Sequence, residues 1–83
     1  MLNVCEVKVR GAYRLWLRFS DGAEGEVDLR EQLTGAIFQS LQDPSTFAAV
    51  RVDPEIRTIA WPNGADFAPE FLRGLLSHDR AAV

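Results

Sequence analysis

Cysteine, histidine and clustered glycine are what this 83-residue chain lacks most. Cys5 is the only cysteine, so no internal disulfide forms, and a thiolate metal site would need partners from residue types that are equally scarce. His78 is the only histidine and has no cysteine or second histidine near it, which removes the usual metal-ligand and nucleophile–base pairings. Ser20, Ser40, Ser45 and Ser77 lack the glycine elbow that exposes a serine nucleophile. The six glycines, at 11, 22, 25, 35, 64 and 74, never cluster into a loop whose amides cradle phosphates. No apolar run approaches the roughly 18–20 residues of a bilayer span. The start, Met1 to Glu6, carries neither the basic region nor the apolar stretch of a signal peptide. The chain is therefore expected to be cytoplasmic, with no membrane partner. A net charge of −3 argues against nonspecific binding to nucleic acid, though it leaves room for a local basic patch.

What is present is ordinary globular composition, 47% hydrophobic and 25% charged, and the length supports one core and one domain spanning 1–83. A domain of this size buries about 60–65% of the surface of its unfolded chain, so it folds with a modest margin that dimerisation would widen.

The first 29 residues alternate with the period of half-buried strands. Cys5, Val7 and Val9 are expected inward and Glu6, Lys8 and Arg10 outward on a first strand. Gly11-Ala12 forms a tight turn, after which Tyr13, Leu15, Leu17 and Phe19 alternate with Arg14, Trp16 and Arg18. Ser20-Asp21-Gly22-Ala23 is a second turn, and a third strand runs from Glu24 to Leu29 with Gly25, Val27 and Leu29 inward. Over 30–49 the period changes to short helical segments, with Leu33, Ile37, Phe38 and Leu41 facing the sheet, Asp43 as an N-cap and Pro44 at the first helical position. A second hairpin is expected over 50–61, a C-terminal helix over 66–76 with Phe71, Leu72, Leu75 and Leu76 on one stripe, and a loose tail over 77–83. The fold class is α+β: a three-stranded antiparallel meander plus a short hairpin, with two or three short helices packed on one face.

Four stretches, LWLRFSDG (15–22), FQSLQDPSTF (38–47), VRVD (50–53) and TIAWPNGADFAPEFL (58–72), stand in an order and spacing that resemble the bacterial family catalogued as domain of unknown function 2442. The resemblance covers Val4 to Leu72, and the run from Trp61 to Glu70 is its most specific part. It implies a small α+β fold and little about activity. Some relatives resemble the front half of proteins carrying a helix-turn-helix domain, and others sit beside a small partner in arrangements like toxin–antitoxin pairs. Some carry a label linking them to molybdopterin-guanine dinucleotide biosynthesis, which would imply a small nucleotide-binding protein, but the scattered glycines argue against a phosphate cradle.

Two groups of residues are candidates for function. The outward face of the first hairpin sets Lys8, Arg10, Arg14 and Arg18 around Trp16, a mixture suited to a protein partner or to phosphate and base stacking. Glu24, Glu26 and Asp28 of the third strand share that face and should neutralise much of it. The motif Asp21, Gly22, Trp61, Pro62, Asn63, Gly64, Asp66, Pro69 and Glu70 supplies carboxylates and an aromatic ring, yet is explained by turn chemistry, with Asp66 as an N-cap and Glu70 in the first helical turn. Cys5 is expected in the core. No catalytic set, metal site or cofactor is expected. The favoured reading is a non-enzymatic interaction or regulatory module that engages a protein partner or itself as a homodimer. Two alternatives are less favoured: nucleic-acid contact within a transcriptional or toxin–antitoxin unit, and a small ligand- or nucleotide-binding protein that uses Trp61, Asp66 and Glu70.

Overall fold

The computed structural model describes residues 1–81, and side-chain surroundings through residue 76. Three antiparallel strands, β1 (Val4–Gly11), β2 (Arg14–Phe19) and β3 (Glu24–Asp28), form a meander in the order β1-β2-β3. β2 follows its sequence period: Leu15, Leu17 and Phe19 are buried while Arg14 and Arg18 are exposed and Trp16 is half-buried. Val27, on β3, and Leu29, just beyond it, continue the same inner face.

β1 departs from strict alternation. Its register runs Val4↔Phe19 and then Glu6↔Arg18, so Cys5 is an extra residue, and a second irregularity falls at Arg10 between Val9 and Gly11. Each inserted residue shifts a period of two by one. Val4 therefore takes the buried place, and Cys5, expected in the core, is exposed instead. Val7 is half-buried, and Val9, opposite Leu15 near the hairpin end, remains 42% exposed. The hairpin turn is Ala12–Tyr13 and not Gly11–Ala12, with Tyr13 at φ 64, a left-handed backbone more usual for glycine or asparagine.

The stretch after β3 is a chain of single turns: 3-10 turns at Arg30–Gln32 and Ser40–Gln42 flank α1 (Ala36–Gln39), and α2 (Pro44–Phe47) follows. Leu33 and Leu41 are buried and Phe38 half-buried, but Ile37, expected to face the sheet, is 48% exposed because so short a helix has no room for a second inward position. Asp43 caps α2 as expected, accepting from the Thr46 N–H at 3.1 Å and its hydroxyl at 3.0 Å. Phe47 is buried beneath it.

A two-stranded sheet, β4 (Arg51–Asp53) with β5 (Thr58–Ala60), meets the start of the meander where the Val4 N–H donates to the Arg57 carbonyl at 3.0 Å. The last helix, α3 (Pro69–Ala81), begins three residues after the expected start and extends through part of the expected tail. Pro69 takes the first helical position and the Leu72 N–H donates to the Ala68 carbonyl, so Ala68 and not Asp66 precedes the helix. Asp66 instead pairs by its backbone with Ala60. Leu72 and Leu76 are buried against the inner face, Leu75 is half-buried, and Phe71 sits at the rim, 41% exposed, stacked on Phe67 at 5.6 Å. The side chain of His78, and residues 82–83, lie outside the described residues.

One cluster of buried side chains joins Val4, the inner faces of β2 and β3, Leu33, Leu41, Phe47, Ile59, Trp61, Phe67, Leu72 and Leu76. Gly25 lets α3 approach β3: a Cβ built there would meet Leu76 Cδ1 at 2.5 Å. Among the described residues no helix is long and apolar enough to cross a membrane.

Candidate interaction face

The outer face of the meander is arranged in three columns set by the strand register. Lys8 of β1 lies opposite Trp16 of β2, which lies opposite Glu26 of β3. On one side of that row stand Glu6, Arg18 and Glu24, and on the other Arg14 and Asp28. The middle column is thus Arg14, Trp16 and Arg18, and the β3 column is Glu24, Glu26 and Asp28. All of these residues except Trp16 and Glu6, which are half-buried, are exposed.

Cross-strand pairing defines the electrostatics. Arg18 donates from Nε and Nη2 to Glu6 Oε1 at 3.3 and 3.2 Å, Lys8 Nζ lies 3.7 Å from Glu6 Oε2, and Arg14 donates to Glu26 Oε1 at 3.2 Å. Exposed pairs of this kind contribute little stability each, about 0–1 kcal/mol. Their effect here is on the field: three cations, Lys8, Arg14 and Arg18, stand among four carboxylates, Glu6, Glu24, Glu26 and Asp28. The expected neutralisation by β3 is joined by Glu6, whose outward place was visible in the alternation but whose pairing needed the bulged register. Lys8 Nζ also lies 5.1 Å from the Trp16 ring centroid, a cation–π contact over the face of the indole. Arg10, displaced into the second irregularity, is exposed and forms no ion pair among the described residues.

Within the Trp61 to Glu70 motif, Trp61, Asn63 and Gly64 make bracing contacts. Trp61 is buried, donates from Nε1 to the Phe47 carbonyl at 2.8 Å, and lies 5.8 and 5.9 Å from the rings of Phe47 and Phe67. Pro62, Asn63 and Gly64 form a turn closed by Gly64 N–H to Trp61 carbonyl at 3.0 Å and Trp61 N–H to Ala65 carbonyl at 2.9 Å, with Gly64 at φ 91 where a side chain would strain the backbone. Asn63 Nδ2 donates to the Ile37 carbonyl at 2.9 Å and to Ser40 Oγ at 2.8 Å, while its Oδ1 accepts from Ala65 N–H at 3.0 Å. Thr58, buried, donates its hydroxyl to the Phe67 carbonyl at 2.6 Å. Asp66 and Glu70 are both exposed, and among the described residues no group of acidic, histidine or cysteine side chains could hold a metal ion.

Asp21, beside Gly22 in the β2–β3 turn, is also tied down. Its Oδ1 accepts from Ala23 N–H and its Oδ2 from Arg73 Nε of α3, each at 3.0 Å. The Ala23 amide first and the Arg73 guanidinium second hold its carboxyl below the ordinary aspartate range. The turn role read from Asp21-Gly22 is observed, whereas its partner 52 residues away carried no local signal.

No curated protein and no solved structure matches the chain. A family model described as Protein of unknown function (DUF2442) matches residues 4–76, which takes in the meander, the Asp43 cap, the Trp61 turn and the start of α3. The chain belongs to that family, the one its LWLRFSDG and WPNGADFAPEF stretches resemble.

Proposed function

We propose that the protein is a non-enzymatic interaction module of the cytoplasm whose outer sheet face pairs with the same face of a second copy. The observation that supports this is Trp16, an indole left half-exposed at the centre of that face, between Arg14 and Arg18 along its own strand and beside the acidic β3 column. Aromatic anchors of this kind are enriched at interfaces, where they combine large apolar area with few rotatable bonds. A twofold axis parallel to the strands and lying between β2 and β3 sets Arg14 and Arg18 of one copy over the β3 carboxylates of the other. The face is therefore complementary to itself, the condition for an isologous dimer. A small domain also gains the buried area that its own core supplies sparingly.

Sedimentation velocity over a concentration series tests the reading. The native chain is expected to dimerise, and Trp16→Ala, an outward substitution that leaves the core intact, is expected to sediment as a monomer with an unchanged circular dichroism spectrum. A native chain that stays monomeric throughout, or a Trp16→Ala variant that associates equally well, would sink it.

A further inference from the structure

At the turn end of β2 the chain leaves a cation un-neutralised beside a cavity. The cavity measures about 230 Å³ and is lined by Tyr13, Arg30, Leu33 and Gln42. The Arg30 guanidinium lies 5.2 Å from the Tyr13 ring centroid and forms no ion pair among the described residues. The carboxylate two residues before it, Asp28, accepts the Arg30 backbone N–H on Oδ1 at 2.9 Å and forms no ion pair with the guanidinium. Glu31, the next residue, pairs with no cation among the described residues either.

The Tyr13 side of the cavity is held by several contacts. Tyr13 donates its hydroxyl to the Gln42 carbonyl, packs edge-on against Phe47 at 5.6 Å, and accepts the Leu29 N–H on its own carbonyl at 2.8 Å. These contacts hold a tyrosine at φ 64, where glycine or asparagine would cost less. The ring is thus kept in place against a backbone preference. Gln42 donates from Nε2 to the Leu33 carbonyl at 2.8 Å, which fixes the remaining polar side chain of the wall.

We infer that this cavity binds a small organic monocarboxylate, with the carboxylate on the Arg30 fork and the apolar body against the Tyr13 ring and Leu33. A guanidinium presents paired N–H donors that match a carboxylate, and stacking on an aromatic ring pre-orients them. Phosphate is the poorer fit, because phosphate sites assemble several cations or a cradle of backbone amides and one guanidinium supplies neither. The volume, below the roughly 300–1,000 Å³ of sites for drug-sized ligands, limits the occupant to a short acid. This site lies apart from the outer-face columns centred on Trp16 and does not depend on dimerisation.

Titration of the full chain with benzoate, acetate and inorganic phosphate, followed by amide chemical shifts, tests the inference. Benzoate is expected to shift the Tyr13, Leu33 and Gln42 amides saturably, acetate more weakly, and phosphate not at all. Arg30→Gln, at an exposed position, should weaken benzoate by roughly tenfold or more, and Arg30→Lys should restore part of that loss. No saturable shift with benzoate, or the same affinity in Arg30→Gln, would overturn the site. Phosphate binding as tightly as benzoate would overturn the ligand class.

Discussion

Asn63 shows how one side chain at the surface can organise a junction. With three hydrogen bonds it joins its own turn to the carbonyl of Ile37 in α1 and to the hydroxyl of Ser40, so two segments far apart in sequence share a single amide. Asn63→Ala is expected to destabilise the protein by about 1–2 kcal/mol in urea unfolding, since each lost bond contributes about 0.5–1.5 kcal/mol and the site is open to water. Asn63→Asp should cost at least as much, because it keeps an acceptor for Ala65 N–H but turns an oxygen towards the Ile37 carbonyl. The turn-forming half of Asn63's role is legible in Pro62-Asn63-Gly64, as local chemistry. The half that reaches Ile37 is not, because nothing near residue 63 encodes its distance from residue 37. Cys5 teaches the same lesson in reverse: its alternation with Val7 and Val9 is real, but a bulge outvotes it.

At the scale of elements, two contacts of different kinds help to fasten α3 to the meander. Leu76 packs over Gly25 where there is no side chain to hold it off, and Arg73 reaches the β2–β3 turn at Asp21. Because the folded carboxyl of Asp21 titrates below its unfolded value of roughly 3.9, its contribution is fully present above that value and is lost as pH falls through the folded one. The melting temperature of the native chain is expected to exceed that of Asp21→Asn near neutral pH, and the gap to close on acidification below about pH 4. A gap independent of pH would show that the Arg73 contact does not carry it. The meander and the Asp43 cap are legible from neighbouring residues alone. The start of α3 is not, since Asp66 offers a good cap and only Pro69, three residues later, carries the competing preference that prevails.

At the scale of the molecule, charge is spread so that no large patch of one sign forms on the outer face. The basic cluster read from Lys8, Arg14 and Arg18 is matched by Glu6 and by the β3 carboxylates, within a chain of net charge −3. No salt-sensitive affinity for duplex DNA is expected, and fluorescence anisotropy at low ionic strength checks it; steep binding that weakens with added salt would favour a nucleic-acid role instead. The sign balance was legible because β3 reads as a strand, while the loss of Arg10 from the cluster depended on a bulge that the sequence does not announce. Those irregularities in β1 also bear on how the molecule avoids aggregation. β1 is one border of the three-stranded sheet, and a regular border strand is a template onto which foreign strands polymerise. Breaking its hydrogen-bond rhythm at Cys5 and again at Arg10 spoils that template twice within eight residues. Lateral growth of the sheet into fibrils is thereby discouraged, while the outer face of the sheet stays available for association.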